Sequence, residues 1–465
     1  MRVKGKYYTA VFTLLILIIS GCAGRKAFVE YNSAGNLPQS GAAPPRSALR
    51  HYITALNFED DRLYQLALLE YRRALTYDPA SLELREGILR NYFRLEMLDS
   101  AIVEARRILK VSPFDETAKA ILGQSLVEIK DWLAAKEVYR DLTRQFPEEI
   151  TYWAHLAAID IQLQDTVQAS AVYDSMAAHS TDPAEVYVRA GAVMALNNSY
   201  DSALILYRNA LRLEPDNPDA YYGIAAIMIQ RGLSDSAEWA VGKALKANPL
   251  EPQYYLTFGF LQSRRGDLTG AEATLKQGVA LAPKETRFYN LLGSVLQQAG
   301  KYTEGLEYLY RSIGLDSSSI DPYVTIGFIY DELDSLDQAA AIYERALLMD
   351  STNALILNNY AYLLAEAGIR LEEAKAMSAA SLSKEPDNPS YLDTMGWLCY
   401  RLGDYNEAER YIRKALASTE NAVMYLHLGD VLRELGKYAE AEEAYHAGLN
   451  LDPEDSELKQ RLETK

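Results

Sequence analysis

Cysteine is almost missing from this chain: of its 465 residues only Cys22 and Cys399 carry a thiol. That excludes a disulfide-braced framework, and no internal bridge is left at all if Cys22 is modified. Histidine is nearly as scarce. His51, His155, His179, His427 and His446 are scattered, only His427 and His446 fall within one repeat unit, and none has a Cys or second His at i+4. Metal ligation is therefore not expected. No glycine-rich phosphate loop occurs, because the glycines fall at regularly spaced small-residue or turn positions. Positive charge is also short. A formal net charge of −17 argues against nucleic acid and anionic headgroups as partners, which leaves neutral, apolar or basic ones.

Long hydrophobic runs are absent except at the start, where Arg2, Lys4 and Lys6 precede an apolar stretch from Ala10 to Ile19 and then Ser20-Gly21-Cys22. This has the order of a secretion signal and is too short for a permanent span. Ile19-Ser20-Gly21-Cys22 resembles the bacterial lipobox, which implies a signal peptide over residues 1–21 and lipid on Cys22. Several acyl chains would hold the protein durably, at about 0.8 kcal/mol per buried methylene. The resemblance also implies transport to the outer membrane, since Ala23 and not an Asp follows the cysteine. Residues 22–47 carry the lipidated Cys and a Gly-, Pro-, Ser- and Asn-rich tether with no periodicity. Such a tether spans about 27 Å.

What is abundant is repetition. Ala67, Ala101, Ala135, Ala169, Ala203, Ala237, Ala271, Gly305 and Ala339 stand 34 residues apart, and Ala374, Ala408 and Ala441 continue the series. A second series leads by twelve residues: Ala55, Leu89, Gly123, Ala157, Gly191, Ala225, Gly259, Gly293, Gly327, Ala361, Gly396 and Gly429. Small residues on both sides of a helix crossing let two backbones approach while bulky neighbours interlock. Those neighbours include Tyr71, Tyr139, Tyr173, Tyr207, Tyr343, Ile412 and Tyr445, four residues after the first series. Prolines such as Pro79, Pro113 and Pro386 close the second helix of a unit, and Gly232, Gly266, Gly300, Gly403 and Gly436 sit between the two helices.

This is the tetratricopeptide pattern, and the chain resembles that family over residues 48–455, or twelve units. The resemblance implies an all-α fold, a right-handed α-solenoid of helix-turn-helix repeats with a concave face made by first helices. The register slips only by an extra residue near Ile369 and a missing one near Asn421, both read as turn changes. Residues 456–465 read as a capping helix, with Leu458 and Leu462 covering the last hairpin and Glu457, Lys459, Gln460, Arg461 and Glu463 in water.

In this family first-helix residues line the ligand groove. Here one column runs Phe260, Ser294, Phe328, Tyr362, Trp397, with Tyr400 one turn further, and a second carries Asn290, Asn358, Asn359 and Asp393. Exposed aromatics beside amides suit an extended chain. Those aromatics also have a packing explanation, against the neighbouring first helix. Leu256, Val324, Asn358 and Asp393 stand where family members that clamp a C-terminal carboxylate carry Lys or Arg, which disfavours that mode. Within Pro389–Glu420, Met395, Gly396, Cys399, Ala408, Ile412 and Ala415 are assigned to stacking. Trp397 and Tyr400 are left over for a ligand.

Residues 353–416 also resemble late repeats of outer-membrane tetratricopeptide lipoproteins, some of which present cell-wall hydrolases to a periplasmic protease. The expectation is a non-enzymatic protein-binding scaffold or adaptor in the cell envelope, its partner a periplasmic protease or cell-wall hydrolase. No catalytic residue, cofactor, metal or small-molecule substrate is expected, since no segment outside the repeats is long enough for a catalytic domain. The alternative is a structural assembly factor for a secretion, pilus or polysaccharide-export complex.

Overall fold

The structure, a computed structural model, describes residues 44–463. The signal peptide, Cys22 and most of the tether therefore lie outside the described residues. Among those described, regular structure is helical throughout, with 25 α-helices in two compact units.

The first unit holds α1 (Arg46–Asp60), α2 (Tyr64–Tyr77), α3 (Leu82–Arg94), α4 (Leu98–Val111), α5 (Glu116–Glu128), α6 (Trp132–Gln145), α7 (Ile150–Gln162), α8 (Thr166–Ala178), α9 (Pro183–Leu196), α10 (Tyr200–Leu213), α11 (Pro218–Gln230) and α12 (Ser234–Ala247). The second holds α13 (Pro252–Arg265), α14 (Leu268–Leu281), α15 (Thr286–Gln298), α16 (Tyr302–Leu315), α17 (Asp321–Glu332), α18 (Leu336–Met349), α19 (Ala354–Ala367), α20 (Leu371–Lys384), α21 (Pro389–Arg401), α22 (Tyr405–Leu416), α23 (Ala422–Glu434), α24 (Tyr438–Leu451) and α25 (Ser456–Glu463). Within each unit the helices up to α24 pack as pairs, odd with the following even, and each pair packs against the next pair of the same unit.

Local chemistry sets these bounds. Asn217, Asn353, Asn388 and Asn421 cap α11, α19, α21 and α23 by accepting main-chain N–H groups, and a proline opens α9, α11, α13 and α21. Turns inside the pairs need a left-handed residue. Gly403 supplies it at φ 85°, but the same backbone is adopted by Arg62, Glu96, Lys130, Gln164, Asn198 and Asp334, so the turn does not depend on glycine. The missing residue near Asn421 shortens α22, which stops at Leu416, and not the turn.

Both small-residue series are buried throughout. At Gly327 a Cβ would come within 2.3 Å of the Tyr343 ring, so the tyrosine occupies the space that a side chain would need there. Leu458 of α25 is fully buried against Gly448, as a cap requires. Arg461 departs from its expected place in water: it reaches back to the buried Asp430 at 2.8 and 3.2 Å.

Within the second unit each first helix touches the first helix of the next pair, while the second helices do not touch one another to a like extent. Elements that crowd lie on the inside of a bend, so the first-helix side of this unit is its inner side.

Candidate functional site

The inner side of the second unit carries the residues that the sequence singled out, and the structure sorts them into two groups. Phe260 on α13 and Phe328 on α17 stand 40% and 43% exposed, which is what a contact surface needs. The Arg264 guanidinium lies 5.9 Å from the Phe260 ring. Tyr362 on α19 is half-buried; burial, then the nearby Glu366, Asp393 and Asp331 charges, push its hydroxyl well above the ordinary tyrosine range.

Asn290 on α15 and Asn358 on α19 repeat one column away. Each has a buried Oδ1 with no hydrogen-bond partner. Asn358 is only 5% exposed, and its Nδ2 reaches Asn359 Oδ1 at 3.5 Å. A buried acceptor left open costs about 1–3 kcal/mol, and neither oxygen is accessible from the surface.

Trp397 and Asp393 behave otherwise and correct the reading of an exposed stripe. Trp397 is 8% exposed, with its ring stacked on Tyr400 at 4.7 Å and on His427 at 4.2 Å. Asp393 is buried, and both its oxygens lie 3.1 Å from His427 Nδ1. α19, α21 and α23 approach closely enough that a side chain from one repeat is roofed by the next. Packing across repeats accounts for Trp397, although packing within its own hairpin did not. Its Nε1 nonetheless has no partner.

Sequence reasoning weighed His427 only as a metal ligand and missed its pairing with Asp393. Burial opposes its charge, but the Asp393 carboxylate, with smaller help from Glu366 and Asp430, raises its pKa above the ordinary 6.5. The legible signal was the spacing: positions 393 and 427 are 34 apart, one repeat, so they fall on neighbouring first helices. Tyr445 and Arg461 both hydrogen-bond Asp430, tying α24 and α25 to α23.

Nothing in this face assembles a nucleophile. Cys399 is buried, and burial pushes its thiol upward. Among the described residues no group of three or more His, Cys, Asp or Glu could hold a metal, and no helix is long and apolar enough to cross a membrane.

Family models described as tetratricopeptide repeat match residues 194–257, 258–320, 320–353 and 394–456. Over those residues the chain is built of tetratricopeptide repeats. Repeats of this family generally serve as non-enzymatic protein-interaction scaffolds. A tetratricopeptide repeat-containing protein of Pseudomonas aeruginosa is 32% identical over 106 residues, 23% of this chain and 18% of that one. The type IV pilus assembly protein PilF of the same organism is 27% identical over 134 residues, 28% of this chain and 53% of that one. The chain thus spans about half or less of these two curated relatives. A crystal structure of a tetratricopeptide repeat protein from Parabacteroides merdae aligns with 53% of this chain and 97% of its own, at 17% identity and a TM-score of 0.45.

Proposed function

We propose that this protein is a non-enzymatic adaptor that grips an extended segment of a partner protein along the first-helix side of its second unit. One observation carries the reading: Phe260 and Phe328 stand exposed at equivalent first-helix positions two repeats apart. Apolar rings supply contact area for alternate side chains of an extended segment. Phe328 and Tyr362 stand at equivalent places in successive repeats, so one extended chain would meet them in turn.

The remainder of the proposal rests on the sequence. Lipid on Cys22 and the tether after it would hold the solenoid at a membrane of the cell envelope, the outer one in a two-membrane bacterium, with a periplasmic protease or cell-wall hydrolase as partner. The test replaces Phe328 and Phe260 with Ala in the full chain and compares what is crosslinked to it in intact cells. Specific adducts should be lost while the helical signal and thermal transition stay in place. Unchanged adducts on an intact fold would sink the groove assignment.

A second reading is favoured by the likeness to a pilus assembly protein. A structural assembly factor would reside stoichiometrically in a large membrane complex. An adaptor would hold clients transiently and accumulate them when the partner enzyme is inactivated.

A further inference from the structure

The outer side of the second helices differs between the two units. In the first unit each of these helices carries a large apolar side chain there: Leu69 on α2, Val103 on α4, Ile205 on α10 and Trp239 on α12 at one repeat position, and Leu133 on α6 and Val167 on α8 one helical turn earlier. All six are between 45% and 81% exposed, so packing explains none of them. The same two positions of the second unit hold only Thr, Asn, Asp, Glu, Ala or Arg, from Thr269 and Ala273 on α14 to Ala439 and Glu443 on α24. Exposed apolar residues gathered on one face mark an interaction surface.

Cations follow the apolar residues on the same faces. Arg72 stands three residues after Leu69, and Arg106 and Lys110 stand three and seven after Val103. Among the described residues none of these three cations makes an ion pair, and Arg72 meets the Tyr92 hydroxyl and ring. Cations on the corresponding faces of the second unit are taken. Glu272 holds Lys276 at 2.6 Å, Glu409 holds Arg413 at 2.9 Å and Asp387 holds Lys414 at 2.8 Å, while Arg311 and Arg345 lie over the rings of Tyr289 and Tyr323. On α2 and α4 the buried Glu70 and Glu104 are held by Arg73 and Arg107 at 2.5 and 3.0 Å, and Asp99, in the first turn of α4, is the acid that shares the outer faces. The net charge of −17 describes the chain and not this face, because salt damps distant acids within about 8 Å.

We propose that the outer faces of α2 and α4 lie on a membrane surface of anionic phospholipid. Leu69 and Val103 enter the boundary between headgroups and acyl chains, and Arg72, Arg106 and Lys110 meet lipid phosphates. Long cationic side chains lay their stems along such a boundary and keep their charges among the headgroups, which is why cations and aliphatic residues share one face. The assignment rests on the reading of lipid at Cys22. The tether runs from that residue into α1, so α2 and α4 belong to the two pairs that follow the anchor in sequence, and a tether spanning about 27 Å keeps them near the bilayer. An acidic protein segment would also satisfy the cations; the nearness of the anchor favours the lipid.

The test places a polarity-sensitive fluorophore on Val103→Cys in the full chain, where Cys399 is buried and so spared, and reconstitutes the protein in vesicles. Vesicles of phosphatidylglycerol should shift the emission to the blue and reduce quenching by acrylamide at least threefold, and vesicles of phosphatidylcholine should do neither. Arg106→Gln with Lys110→Gln, checked by an unaltered thermal transition, should abolish the protection, and the same label on Glu443→Cys in α24 should never show it. Equal protection by both lipids would overturn the anionic assignment. Lack of protection in phosphatidylglycerol, with Cys22 of the unsubstituted chain unreactive toward the label, would overturn the surface and leave the anchor standing. A reactive Cys22 would remove the anchor, and the surface would then be overturned unless phosphatidylglycerol vesicles added to the chain with Cys22→Ser protect position 103. Protection by polyglutamate and not by phosphatidylglycerol would give the face to an acidic protein segment and overturn the lipid.

Discussion

His427 Nδ1 lies 3.1 Å from both carboxylate oxygens of Asp393, a buried contact between α23 and α21 across one repeat. The Trp397 ring stacks 4.2 Å from the same imidazole, so one side chain joins charge and aromatic packing at the inner side of the last repeats.

A pH dependence follows. His427 is raised above its ordinary 6.5 on folding, so its contribution is complete below about pH 6.5 and is lost as pH rises through the higher folded value. His155 has the opposite sign: burial lowers it to about 4, so the folded state is disfavoured as pH falls from 6.5 toward 4. Thermal melts across pH 4–8 should show His427→Gln flattening the fall above pH 6.5, and His155→Gln flattening the loss below it. Unchanged slopes in both variants would remove the two histidines from the account.

Replacing Asp393 with Ala leaves an imidazolium buried without its counter-charge. Breaking a buried pair in this way costs about 3–5 kcal/mol. Denaturant titration should place Asp393→Ala well below Asp393→Asn, which keeps a hydrogen-bond acceptor.

Gly429 offers a packing test at the far end of the chain. A Cβ there would come within 2.2 Å of the Tyr445 ring, which is buried and hydrogen-bonded to Asp430 at 2.8 Å and so has little room to yield. Gly429→Ala should destabilise by about 1–3 kcal/mol, and Gly429→Ala combined with Tyr445→Leu should recover part of that loss. Calorimetry of the four proteins reads the coupling.

Leu458 caps the last pair from a fully buried position. Leu458→Ala should cost about 2–5 kcal/mol, and amide exchange should rise first in α24, where Gly448 faces it.

The repeat, its period and its buried faces were legible in the sequence because Ala67 through Ala441 and their partner series mark each close crossing without reference to the rest of the chain. Turns were only half legible. Glycine announces a left-handed residue, whereas Lys130 at φ 64° and Gln164 at φ 60° adopt the same conformation with no such mark. The site was less legible still. Column reading treats each first helix as open to solvent, which holds for Phe328. It fails for Trp397, because the distance between neighbouring first helices belongs to the stack and not to any one repeat. His427 was passed over for a related reason: its partner lies one period away, and a scan for ligands at i+4 does not look there.

The central claim is that the inner side of the second unit holds a protein partner, and site-specific photocrosslinking in intact cells tests it most directly. A photoreactive residue would replace Phe328 on that side, and another would replace Leu348, 89% exposed near the end of α18. Discrete protein adducts from position 328, absent from 348 and diminished by Tyr362→Ala, are the predicted result. The same adducts from both positions, or adducts from 348 alone, would contradict it.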